Sequence, residues 1–150
     1  MTGPKSKTLA TWLAVLGGAL GVHRLYLHGA KDPWAWAFWP PTLAGLVGVL
    51  RMRNLGQDDM LSWALIPLLG IALSAGMLSA IVIGLTPDER WATRFGEVRR
   101  ASGWGAVLGV IAALLIGGTV LMGTIAFGGQ KFFEWQQGPD ADQNKLRLSQ

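Results

Sequence analysis

Residues 61–85 read LSWALIPLLGIALSAGMLSAIVIGL, twenty-five positions without one ionisable side chain. A second stretch of the same kind, WGAVLGVIAALLIGGTVLMGTIAFGGQ, fills positions 104–130. A helix needs roughly 20 apolar residues to cross about 30 Å of hydrocarbon at about 1.5 Å per residue, and both stretches exceed that. Half of the 150-residue chain is apolar, which a soluble domain tolerates. Charged residues, however, make up only 15% of it, against about 25% in soluble domains, and they are expelled to the ends of the apolar blocks. This distribution predicts an all-α integral membrane protein.

The tryptophans sort in the same way. Trp12, Trp63 and Trp104 lie in the first turns of apolar blocks. Trp34, Trp36 and Trp39 open another block, Trp91 sits in a polar loop, and Trp135 follows the last block. Indole rings favour the headgroup boundary, where an apolar face and an N–H are both satisfied. The absence of Cys excludes disulfides, thiol nucleophiles and thiolate metal sites. Thirteen Lys and Arg against nine acids give a net charge of +4. Placed at block ends, the cations predict anchoring to membrane lipids with anionic headgroups. Nucleic-acid binding needs a basic face interleaved with aromatics, which the chain lacks.

Four segments follow: a basic start (1–7), a two-helix unit (8–55), a second helical pair (56–127) and an aromatic boundary cluster with a polar tail expected to be disordered (128–150). Lys5 and Lys7 before an apolar core superficially resemble a signal peptide. Apolar character nevertheless continues from Thr8 to Leu27, about 30 Å of helix, which predicts an uncleaved span. In the second block Asp32-Pro33 is a helix start, and Pro40-Pro41 interrupts it. The expectation is an aromatic interfacial piece, then a short helix from Pro41 to Asn54 that either spans a thinned bilayer, with Arg51 and Arg53 snorkelling, or re-enters. Asp58-Asp59 caps the third block, which Pro67 kinks.

Between the third and fourth spans, Thr86 reads as an N-cap and Pro87 as a first helical residue. Trp91, Phe95 and Val98 recur opposite Arg90, Arg94, Glu97 and Arg100, so an amphipathic helix over 87–101 is expected to lie on the membrane. Arg90, Trp91, Arg94, Phe95, Arg99 and Arg100 are its candidate headgroup contacts; a solvated loop is the alternative. The whole is four short transmembrane helices, with seven cations on one side and six on the other. Both termini are placed in the cytoplasm because the Lys pair precedes the first span.

Small residues at four-residue spacing nominate the packing faces: Gly17 and Gly21 in the first block; Gly76, Ala80 and Gly84 in the third; Gly105, Gly109, Ala113 and Gly117 in the fourth. Such rows let backbones approach closely, within one chain or in a homo-oligomer. On a continuous first helix Ala10, Gly17, Gly21, Arg24 and His28 share one arc, so Arg24 would continue the seam. His23, Arg24, Tyr26, His28 and Asp32 thus form the candidate site at the first turn-around, an interfacial anchor or a ligand site. His23 and His28 sit five apart on different faces, so no metal site is expected. No cofactor is implied. No nucleophile elbow and no acid within a span point to an enzyme or a proton-coupled pump.

The stretch KSKTLATWLAVLGGALGVHRLYLHG resembles the start of the TM2 domain family. In that family, paired basic residues lead through a Gly-containing apolar stretch to a Gly-x-His-x-Phe-Tyr-Leu-Gly-like ending. Lys5, Lys7, Leu13, Gly17, Gly21, His23, Arg24, Tyr26 and Leu27 fit; Leu25 and His28 depart from it, as does the lack of an Asp in block two. The resemblance covers about residues 5–55 and implies a two-span unit in a bacterial inner-membrane protein, with the rest an added pair. It implies no settled activity, and the Asp-Arg-Phe-like motif of the animal members is missing. The expected role is a non-catalytic accessory or scaffold acting through helix and lipid contacts. The rival is a small oligomeric channel or exporter, with a dual-topology dimer as one form of it.

Overall fold

A computed structural model of the chain describes residues 4–96 and 103–137. Among them every regular element is helical. The helices are α1 (Lys7–Gly17), a 3-10 turn (Gly18–Leu20), α2 (Val22–His28), α3 (Pro33–Trp36), α4 (Trp39–Leu55), α5 (Met60–Leu85), α6 (Asp88–Phe95) and α7 (Trp104–Gln137). Short polar side chains set several starts. Ser6 accepts from the Leu9 amide, Asp32 from Trp34 and Asp59 from Ser62, which satisfies amides that have no partner in a first turn. Pro40 and Pro41 stand in the first turn of α4, where their missing donors cost nothing. Pro67 lies inside α5.

α5 is the hub, and the residue pairings make α1, α4 and α7 all antiparallel to it. Along α5 and α7, Gly84 faces Val110, Met77 faces Gly117 and Gly70 faces Thr124. One step further, Lys131 Nζ lies 4.6 Å from the centre of the Trp63 ring. The partners advance by about seven residues at each step, the period of left-handed packing between nearly antiparallel helices. α4 meets the first half of α5, Gly45 against Leu69 and Gly48 against Leu65. α1 meets the second half: Gly18 lies on the Gly76 backbone, and a Cβ on Gly18 would stand 2.6 Å from the Gly76 Cα. Thr8 and Thr11 of α1 also pack on Gly105 and Gly109, so α1 runs parallel to α7.

The first apolar block is not one helix. At Gly21 the backbone turns left-handed (φ 67°), and a Cβ there would stand 2.5 Å from the Ala35 carbonyl oxygen, so only glycine fits. α2 then returns beside α1. Lys5 Nζ donates to the Leu27 carbonyl at 2.6 Å, and the Ser6 amide donates to the Tyr26 hydroxyl at 3.1 Å. Residues 5–28 are therefore a helical hairpin whose two ends meet, which replaces the continuous span expected over Thr8–Leu27. The shared arc of Ala10, Gly17, Gly21, Arg24 and His28 disappears with it. Thr42 Oγ1, near the start of α4, donates to the Ala19 carbonyl at 2.5 Å, so α4 takes over from the hairpin tip and covers about 25 Å.

Two helices, α5 and α7, are long and apolar enough to cross a membrane. Only 22% and 17% of their most apolar windows are buried, whereas a core helix of a soluble fold is mostly buried. The interior is small and partly polar: Ala10, Ala14, Ala80, Ala113, Thr11 and Ser62 are fully buried. The large side chains point outward, with Leu78 and Val82 each 61% and Leu115 66% exposed.

Candidate functional site

One end of this bundle gathers the cations. Lys7 is buried at the start of α1, and its Nζ donates to the Thr86 carbonyl at 2.8 Å and to Asp88 Oδ1 at 2.6 Å. This pins α1 to the corner between α5 and α6. Trp91 of α6 is buried there too, 3% exposed; its indole N–H donates to the Lys5 carbonyl at 2.8 Å, and its ring packs 4.5 Å from that of Phe95. The apolar face of α6 thus docks on protein, which corrects its expected seat on lipid. The helix is also shorter than expected. Pro87 is its N-cap, Thr86 closes α5, and Gly96 (φ 88°) ends it. Arg99 and Arg100 lie outside the described residues.

Docked in this way, α6 closes a cleft of about 350 Å³ against α2 and α5. α2 contributes His23, Arg24, Leu27 and His28; α5 contributes an aliphatic wall with Leu78, Val82 and Ile83; α6 contributes Arg90, Trp91, Arg94 and Phe95. Of the residues nominated at the first turn-around, three therefore meet in one cavity with Arg90 and Arg94. Tyr26 lies apart and holds the Ser6 amide. Asp32 acts through Arg24, whose Nε donates to Asp32 Oδ2 at 2.9 Å. That hydrogen bond holds the Asp32 carboxyl below its ordinary range. His28 Nδ1 stands 3.7 Å from the same oxygen.

His23 is buried, 2% exposed, with its ring edge-on to Phe38 at 5.9 Å and its Nδ1 without a hydrogen-bond partner among the described residues. Arg90 and Arg94 are exposed and have no carboxylate partner among the described residues. No three His, Asp or Glu side chains converge as metal ligands among those residues.

The nominated packing glycines divide. Gly76, Gly84, Gly105, Gly109 and Gly117 face neighbouring helices, and Ala80 and Ala113 are fully buried. Gly17 meets only Val22 of its own hairpin, and Gly21 serves the turn. The glycine that touches α5 is Gly18, and Gly45, Gly48 and Gly70 complete the set that spacing alone did not single out.

The opposite end is held by Arg51, which donates through Nε and Nη2 to both Asp59 oxygens at 2.9 Å. Asp59 also accepts from the Ser62 hydroxyl. The Arg51 fork and this hydroxyl hold the Asp59 carboxyl well below the usual carboxylate range.

Compared with protein-family models, curated proteins and solved structures, the chain shows no significant match to any of them.

Proposed function

We propose that the chain is a multi-pass membrane protein that performs no chemistry and works as an accessory or scaffold through helix and lipid contacts. The observation that carries this reading is the inverted partition of side chains. Gly, Ala, Thr and Ser make up much of the buried interior, beside a few large side chains such as Met77 and Ile83, while many Leu, Ile and Val side chains are exposed. In water that arrangement discards the hydrophobic stabilisation of the large residues, roughly 25 cal/mol per Å². In lipid it is the favoured one, because close packing of small residues drives helix association there.

The helix directions refine the expected topology. Residues 5–28 return to the end they start from, α4 leads to the other end, α5 comes back and α7 leaves again. Three net crossings result, in place of four, with the start of α1 and the end of α7 on opposite faces. Among the described residues, Lys5, Lys7, Arg24, Lys31, Arg90 and Arg94 belong to one end, against Arg51, Arg53 and Lys131 at the other. The positive-inside rule makes the first end cytoplasmic. The stretch that resembles the TM2 domain family contributes the hairpin and α4 to this architecture, and that resemblance is the ground for proposing a bacterial inner membrane.

Fractionation and reconstitution test the reading. The chain is expected to sediment with membranes and to require detergent for release. Liposomes containing it are expected to hold an imposed ion gradient as well as empty ones do. A monomer in the detergent-free supernatant overturns the membrane assignment, and gradient collapse overturns the scaffold role in favour of a channel.

A further inference from the structure

We propose that the cleft between α2, α5 and α6 binds the phosphate of one anionic phospholipid, with an acyl chain laid along α5; the proposal rests on the membrane reading above. Arg90 and Arg94 are one helical turn apart, line the same cavity and have no carboxylate partner among the described residues. Two guanidiniums in a cleft with apolar walls match a phosphodiester, which accepts their N–H groups in pairs. His28 lines the same cleft, and His23 adds a ring held out of solvent whose Nδ1 has no partner among the described residues.

The walls decide between a lipid and a free phosphate. Leu27, Ile83, Trp91 and Phe95 make most of the lining apolar, which a small, strongly hydrated anion gains nothing from. Val82, Leu78 and Ile71 form an exposed ridge on α5 that leads from the cleft toward the middle of the helix, over about 16 Å. Leu78 also lines a second, almost wholly apolar cavity of about 400 Å³ between α5 and α7. A charged head with an apolar path running from it is the shape of a phospholipid.

The cleft also discriminates by charge. None of its lining residues among the described ones is acidic, and the nearby Asp32 is engaged by Arg24. A choline or ethanolamine head therefore meets cations and no counter-charge, whereas phosphatidylglycerol or a related anionic lipid meets only complementary groups.

The test uses the full chain in mild detergent, titrated with phosphatidylglycerol, phosphatidylcholine or inorganic phosphate and read by native mass spectrometry and thermal shift. Phosphatidylglycerol is expected to bind one per chain and raise the melting temperature, with the other two showing neither effect. Arg90→Gln/Arg94→Gln is expected to weaken that binding by about tenfold or more, since the charge-assisted hydrogen bonds to the phosphate are lost. Arg53→Gln, at the far end, is expected to leave it unchanged. Val82→Trp, on an exposed position, blocks the wall without altering charge and is expected to weaken binding as well.

Equal stabilisation by inorganic phosphate makes the ligand a free anion and overturns the proposal. So does unchanged phosphatidylglycerol binding in both cleft variants while the chain still sediments with membranes. A wild-type chain that needs no detergent fails the membrane reading itself, which is a separate result.

Discussion

The α5–α7 pair and the segment from Lys5 to Leu55 are both glycine-rich and apolar, yet one was legible and the other was not. In α5 and α7 the uncharged runs are longer than a bilayer is thick, so length alone fixes two helices. Their contacts repeat in a seven-residue register, a glycine of one helix against a larger side chain of the other. In the first segment the apolar run is equally convincing as composition, but the path of the chain depends on one backbone angle at Gly21 and one backbone contact at Gly18. Hydropathy averages over a window; a turn is a property of one residue. A hairpin inside lipid also needs its freed backbone groups satisfied, and the Lys5 and Tyr26 side chains that help to do so come from positions twenty or more residues away.

The same difference explains the site. Asp32 and Asp59 as caps were readable because capping is local, and the cations of α6 were readable from their spacing. That Trp91 docks on the Lys5 carbonyl, leaving Arg90 and Arg94 over a cleft with α2, depends on tertiary packing and has no local signature. His23, Arg24 and His28 were nominated as a group, but the arc invoked for Arg24 presupposed a continuous helix that Gly21 breaks. Gly17 was preferred to Gly18 by four-residue spacing, and only the contact with Gly76 reverses that choice.

The comparison can be attacked most severely at the hairpin. Gly18→Leu drives a side chain into the Gly76 backbone and is expected to cost about 3 kcal/mol or more, beyond the usual range for overpacking because backbone cannot yield. Loss of the monodisperse peak in detergent is the readout. Gly17→Ala meets only the Val22 side chain and is expected to cost much less; equal losses would place both glycines in one seam and restore the straight helix. Where α7 meets the hairpin, Gly109→Leu, pressed against Thr11 of α1, is expected to lower the melting temperature, while Gly118→Leu, with open space around it, leaves it unchanged.

A smaller effect is expected where the hairpin is tied to the α5–α6 corner. Lys7→Met leaves the Thr86 carbonyl without its donor and removes the charge beside Asp88. Because Asp88 is half exposed and regains water, the expected cost is about 1–3 kcal/mol, below that of a fully buried pair. Thermal denaturation in detergent measures it, and a change within experimental error would show that the hairpin is held without this tie.

The smallest effect is at the far end of α4. Asp59 has its folded-state pKa lowered by Arg51 and Ser62, so its contribution is fully present above the ordinary Asp value of about 3.9. It fades as pH falls through that value toward the lowered one. Wild type is expected to lose stability from about pH 4 downward. Asp59→Asn is expected to be less stable at neutral pH and flatter in acid; a parallel acid limb in both would assign the loss to other groups.

The central claim is that residues 5–28 turn back instead of crossing. The chain contains no cysteine, so single cysteines introduced by Pro4→Cys, Lys31→Cys, Gln57→Cys, Glu89→Cys and Gln137→Cys can be labelled with an impermeant maleimide in sealed vesicles of known orientation. The account predicts that positions 4, 31 and 89 label from one side and positions 57 and 137 from the other. Positions 4, 57 and 137 labelling together, with 31 and 89 opposite, would contradict it and restore four straight spans.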